Sequence, residues 1–338
     1  METIVRMFIK KMPNISRLTK KNYVVLFALM LAVCKIQGQP VPSPEENIPY
    51  LVTFGKKAKT TWGDNDFSQI WFFVVPETYK GMVYIRVFDP DVGGMHDELN
   101  GSWDTRMTYS VYGGKDAFSH PDMLEINPKK NFKTGNLLIS RSFGVDPRYD
   151  NNWFSFGPFD PAQGELDPKY KGYIFKIVCE GVDGDDGNMY RYFLSTSATA
   201  NIPIEGGDAF AYEYTFRLHD NAKEISHVYP YVDEETTKII TENFDWDDDG
   251  KIRVVSEVRR EQLCEVSGDD VWARTEFVVM DGEKGKSLDF QFIKKGIKNN
   301  NVVITIRNQR GELMKLHPSP IGGVPKYKYG IEATKKPK

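Results

Sequence analysis

Ile70-Trp-Phe-Phe-Val-Val75, a Tyr79-Lys-Gly81 break and then Met82-Val-Tyr-Ile-Arg-Val-Phe88 decide the fold class of this chain. Both runs are β-branched and aromatic, too short for typical helices, and bounded by turn formers, so they read as two strands. The same signature recurs at Met107–Tyr112, Leu137–Phe143, Tyr190–Leu194, Phe210–Leu218, Ile252–Val258, Leu288–Phe292 and Val302–Ile306. From Ile48 to about Ile306 the prevailing period is two rather than 3.6, with Gly, Pro, Asn and Asp turns between runs. Only Asp233–Thr241 invites a helical reading, and it is short. The expectation is an all-β protein of tandem antiparallel β-sandwich domains.

A weak internal repeat bears on the domain boundaries. Trp71-Phe-Phe leads to Tyr79-Lys-Gly81, a strand and the acidic loop Asp89–Gly94; Trp153-Phe-Ser-Phe leads to Tyr170-Lys-Gly172, a strand and the acidic loop Val182–Gly187. A fainter third copy runs from Trp272 through Glu283-Lys-Gly285. The central lysines, Lys80, Lys171 and Lys284, are 91 and 113 residues apart, a sandwich-sized interval. The spacing predicts β-sandwich units at 48–120, 121–222 and 223–315, then a basic tail at 316–338.

Residues 1–39 read as a cleaved signal peptide. Arg6, Lys10, Lys11, Arg17, Lys20 and Lys21 precede the apolar run Tyr23–Cys34, and small or polar residues follow. Twelve residues rise about 18 Å as a helix, short of the ~30 Å hydrocarbon layer. Cleavage is expected near Gly38-Gln39. Val33 before Cys34 argues against lipid anchoring at that cysteine. The proline-rich Pro40–Asn47 reads as an extended linker. No later stretch approaches a membrane span. The destination is the periplasm, the cell surface or the extracellular space.

Setting the leader aside changes the charge. The chain has 44 basic and 47 acidic residues; without the seven bases and one acid of residues 1–39 it has 37 and 46, a net of −9. An acidic surface argues against nucleic acid, whose phosphates need a basic face. Cys179 and Cys264 remain, so disulfides cannot be the framework. Cys179 lies on the same face of its strand as Phe175 and Ile177 and is expected to be a buried free thiol.

Three acidic loops offer cation chemistry. In Asp245-Trp-Asp-Asp-Asp-Gly250, alternation turns Asp245, Asp247 and Asp249 toward one point, the oxygen cluster that calcium takes. An EF-hand is excluded, because the twelfth position is Ser256 and a strand follows. The loop resembles the Asp-rich calcium loops between strands of extracellular β-domains. Asp183 and Asp185 in the second loop, and Asp89 and Asp91 in a segment that also holds Asp97, Glu98 and Asp104, are weaker candidates. Each is also an ordinary turn composition. The expected role of calcium is structural, and no other cofactor is indicated.

No catalytic constellation is visible. The five histidines are scattered, and nucleophile-elbow, phosphate-loop and zinc spacings are missing. Trp103 and Trp246, in acidic loops, would be sugar platforms if exposed and edge covers if folded back. The sequence therefore points to a non-catalytic exported binding or scaffold protein with a protein or glycan partner. A carbohydrate-active hydrolase on a β-scaffold is the alternative, requiring two carboxyl groups across a cleft.

Overall fold

The computed structural model describes residues 39–59, 67–124, 132–296 and 301–327. The first eleven strands are β1 (Pro40–Val41), β2 (Tyr50–Phe54), β3 (Ser68–Pro76), β4 (Val83–Phe88), β5 (Arg106–Gly113), β6 (Asn136–Phe143), β7 (Trp153–Phe159), β8 (Glu165–Asp167), β9 (Gly172–Asp183), β10 (Gly187–Ser195) and β11 (Asp208–Phe210). Ten follow: β12 (Glu213–Arg217), β13 (Ile225–Val232), β14 (Lys238–Phe244), β15 (Gly250–Val255), β16 (Gln262–Cys264), β17 (Trp272–Val278), β18 (Lys286–Ser287), β19 (Asp289–Lys294), β20 (Asn301–Asn308) and β21 (Leu316–His317). Every strand-like run of the sequence falls on one or more of them.

The strands form three antiparallel sheets, and the chain is all-β. The first is continuous in the order β17-β14-β20-β12-β2-β10-β4-β7, with β1 on β10. Against its β2–β7 half lies the second sheet, β11-β3-β9-β5-β6 with β8 on β9. Aromatic pairs cross the gap: Phe73 with Tyr192 (6.1 Å), Tyr109 with Tyr190 (5.5 Å) and Phe159 with Phe175 (5.7 Å). Against the β12–β17 half lies the third sheet, β16-β15-β19-β13-β18 with β21 on β13. Phe216 meets Phe292 (5.2 Å) and Phe277 meets Phe290 (6.2 Å) there. The molecule therefore has two sandwiches that share one sheet, joined where β2 pairs with β12.

This arrangement differs from three sequential units. β5 pairs with both β6 and β9, so residue 120 is not a boundary between sheets. β12 pairs with β20, so it belongs with the later strands. Phe210–Leu218 reads as one run but breaks at Ala211-Tyr212, where the chain passes from the second sheet to the first. The repeat is likewise not a repeated unit. Trp71 is fully buried in the interior strand β3, whereas Trp153 is half-buried on the edge strand β7.

β3 is a continuous apolar run because both of its faces are covered. Trp71, Phe73 and Val75 enter the sandwich core, while Phe72 and Val74 pack outward with Met123, Ile174 and Phe210. On the same outer face Lys176 is fully buried, its Nζ donating to the carbonyls of Phe132 and Thr134 at 2.7 Å each. Burial pushes its pKa down to about 7. Where β9 passes the end of β2, a Cβ on Gly181 would lie 2.0 Å from the Phe54 carbonyl oxygen, so only glycine fits.

Residues 1–38, which carry nearly all of the expected leader, lie outside the described residues. Gln39 is part of the fold: it is buried, its Nε2 donates to Gly207 O (3.1 Å) and its Oε1 accepts from Ile204 N (2.9 Å). The expected linker is also built in. Pro40–Val41 pairs with Phe193 and Tyr192, and Val41, Ser43 and Glu46 are buried. Proline is tolerated there because β1 is a short edge strand. Asp233–Thr241 is a turn followed by β14, with Asp233 Oδ1 accepting from Glu235 N (3.1 Å) and Thr236 N (2.8 Å). At the other end, Leu316 and His317 are buried in β21 rather than in an exposed tail. No helix among the described residues is long and apolar enough to cross a membrane. Cys179 and Cys264 are buried free thiols, each pushed up to about 12 by burial.

Candidate ligand cleft and acidic loops

The third sheet turns Ile252, Val254, Phe290, Phe292 and Val228 into the core. Period two therefore turns Arg253, Gln291 and His227 outward in one cross-strand row, with Val255, Asp289 and Tyr229 in the next. This floor carries a cleft of about 450 Å³, walled by Glu45, Arg260 and the stretch Val324–Tyr327. The polar groups of the floor form a chain of bonds. Arg253 Nε donates to Gln291 Oε1 (2.8 Å), and Gln291 Nε2 donates to Asp289 Oδ2 (2.6 Å). Asp289 Oδ1 takes His227 Nδ1–H at 2.7 Å. That bond fixes the imidazole orientation, with Nε2 as the remaining ring nitrogen. Tyr229 stacks near the His227 ring (6.1 Å between centroids), its hydroxyl donating to Glu45 O at 2.8 Å.

His227 and Asp289 are 62 residues apart, so no spacing motif could have paired them. The available signal was weaker: alternating strands at 225–232 and 289–294 with polar residues on one face each. Asp289 is committed to His227 and Gln291, which makes it a positioning group rather than a free acid. Arg253, Arg260 and Lys326 surround the cleft against Glu45 and the hydrogen-bonded Asp289. Such a site can hold a ligand carrying a carboxylate, sulfate or phosphate.

The Asp245 loop differs from its expected geometry. Asp245, Asp247 and Asp269 each offer an oxygen within 4.8 Å of the others, and Asp249 is not in that group. Alternation would converge three acids only on an extended backbone. Here Asp245, Asp247 and Asp248 all have positive φ (57°, 49° and 54°), so the side chains do not alternate. Ser267 fastens the loop to the incoming strand connection, accepting from Trp246 N on Oγ (3.0 Å) and from Asp248 N on its carbonyl (2.8 Å). Asp249 immediately precedes β15, its carbonyl accepting from Lys295 N at 2.6 Å. Asp245 is buried and pushed up to about 6, chiefly by burial. Trp246 is fully buried, and half-buried Trp103 packs against the core, so both loop tryptophans fold back.

The second acidic loop brings Asp185 and Asp186 together with Asp104. Asp186 Oδ1 accepts from Asn100 N (3.0 Å), and its Oδ2 accepts from Asp104 N and Thr105 N (3.1 Å each). Asp185 accepts from Asn100 Nδ2 at 3.0 Å, and Asp183 pairs with Lys57 at 2.6 Å. This loop is a staple between two chain segments, with its carboxylates already engaged. Asp89 and Asp91 lie apart from it, buried in the loop after β4.

No family model and no curated protein matches the chain. Among solved structures it is similar at 9% identity to a protein from Parabacteroides distasonis ATCC 8503 described as a "putative secreted protein". The match covers 84% of this chain and 94% of that one with a TM-score of 0.20, too low to carry an argument.

Proposed function

We propose that this chain is an exported, non-catalytic β-sandwich protein of the cell envelope or extracellular space. Its partner, a protein or a glycan, docks through an acidic group at the cleft on the third sheet. The observation that supports this reading is the gathering of Arg253, Arg260 and Lys326 around one cleft on a chain whose net charge is −9 without residues 1–39. A concave site with convergent basic and aromatic groups recognises anionic ligands. The hydrolase alternative needs two carboxyl groups about 5–10 Å apart, one of them free to ionise and the other to give a proton. In this cleft Asp289 is held on both oxygens, which favours binding over hydrolysis.

The test is calorimetric titration with a uronic-acid oligosaccharide, an acidic peptide and a neutral oligosaccharide. The expected result is measurable binding of an acidic probe and none of the neutral one, weakening at high salt. An Arg253→Ala/Arg260→Ala variant is expected to lose at least about tenfold in affinity, the scale of a lost charge-assisted pair. Equal binding of the neutral and acidic probes, or an unaffected double variant, would remove the cleft from the proposal.

Calcium is the second part of the reading. Asp245, Asp247 and Asp269 would accept a hard cation, which would remove their mutual repulsion and stiffen the loop at the edge of the second sandwich. Millimolar calcium is expected to raise the thermal midpoint by a few degrees, and Asp247→Ala is expected to reduce that rise. An absence of both heat and shift in the parent chain would end the calcium reading for this loop.

A further inference from the structure

Asp89 and Asp91 lie where two loops meet. β4 pairs with β7 through Phe88 and Trp153, which lays the chain after β4 against residues 144–152. Asp89 N donates to Asn152 O (3.0 Å) and Val92 N to Gly144 O (3.1 Å). Each aspartate has one oxygen engaged: Asp89 Oδ1 accepts from Asn151 N (2.8 Å) and Asp91 Oδ2 from Asp146 N (3.3 Å). The other two oxygens, Asp89 Oδ2 and Asp91 Oδ1, are buried and have no hydrogen-bond partner. The residues are only 1% and 2% exposed.

The surroundings do not neutralise them. Asp97 is already engaged, accepting from Gly93 N (2.8 Å) and Met189 N (2.7 Å). Asp146 is paired with Arg148 (2.6 Å). Asp150 accepts from Asn151 Nδ2 (2.9 Å) and adds its charge to the repulsion felt by both Asp89 and Asp91. Its carboxylate lies against Gly94, where a Cβ would come within 2.3 Å of Oδ1. Among the groups acting on Asp89, Arg191 is the cation, and its guanidinium is stacked over Phe88 (4.3 Å) and Tyr50 (5.0 Å). An ionised carboxylate oxygen left without a partner in the interior is costly unless a proton or a metal ion meets it.

We propose that Asp89 and Asp91 ligate a divalent cation, calcium by the hardness of the oxygens, with Asp150 as the adjacent carboxylate. The ion pins the loop after β4 to the loop between β6 and β7. This site is separate from the ligand cleft and from the Asp245 loop.

The experiment uses the full chain stripped with EDTA and titrated with CaCl₂ or MgCl₂ at pH 7.5, read by calorimetry and thermal midpoint. The expected result is a calcium site seen in both readouts. It should be lost in Asp89→Asn/Asp91→Asn and retained in Asp247→Ala, which separates it from the Asp245 loop. In EDTA at pH 7.5 the double asparagine variant should match or exceed the parent midpoint. If that variant fails to fold, Asp91→Asn alone serves, with at least tenfold weaker calcium binding expected. A parent chain that binds no calcium, or an asparagine variant with the parent's isotherm, overturns the proposal.

Discussion

Glu283→Ala is expected to destabilise the fold by about 3–5 kcal/mol, the scale of breaking a buried ion pair from one side. Glu283 closes the 3-10 turn after β17, and its side chain is fully buried beside Arg259. Arg259 Nε donates to Oε1 (2.8 Å) and Nη2 to Oε2 (2.9 Å), the two-pronged geometry that suits a guanidinium and a carboxylate. Ser256 Oγ (2.8 Å) and Met280 N (2.8 Å) complete the carboxylate shell. Truncation leaves the guanidinium, stacked on Phe277 at 4.7 Å, without its counterion in the interior. Urea unfolding followed by circular dichroism measures the loss. Glu283→Ala/Arg259→Ala should cost less than the sum of the single variants, because the second change removes the stranded charge. A loss below about 1 kcal/mol for Glu283→Ala would show that water or a rearranged partner rescues Arg259.

Asp186→Ala is expected to cost at least about 3 kcal/mol, and to cost it equally in EDTA and in calcium. The fully buried carboxylate is the acceptor for three backbone amides of the 100–105 segment. Hydrogen bonds to a charged group contribute about 1.5–3 kcal/mol each. Losing all three strands their donors against the end of β9. The same residue also ties in the end of β2, through Gly55 N to its carbonyl oxygen (2.9 Å). Denaturation with and without chelator measures this. A cost seen only in calcium would instead make Asp186 a metal ligand. The contrast with Asp89 and Asp91 is physical: carboxylates of similar burial differ in whether the surrounding amides use up both oxygens.

Much of the fold was legible because strand periodicity is local. The runs at 70–75, 82–88 and 302–306 lie on β3, β4 and β20. At three places the structure differs from the local pattern, for three separate reasons. Proline in 40–47 suggested a linker, yet an edge position needs few amide donors and the segment packs. The alternating acids at 245–249 assumed an extended backbone, whereas three left-handed aspartates re-aim them and bring in Asp269. The Trp–Lys–Gly recurrence suggested repeated units, but Trp71 and Trp153 occupy unlike positions, one interior and one at an edge.

The sequence by itself determined that the chain is all-β, that its surface is acidic beyond residue 39, and which loops are rich in carboxylates. Those are properties of composition and of neighbours along the chain. Only the tertiary structure decided that the sandwiches share a sheet, because the β2–β12 pairing joins residues more than 160 positions apart. Only it set His227 against Asp289 and drew basic groups around them. It also separated acids satisfied by backbone amides from acids such as Asp89 and Asp91, each with one buried oxygen that has no hydrogen-bond partner. A carboxylate's role depends on what meets its lone pairs, and in this chain those partners come from distant segments.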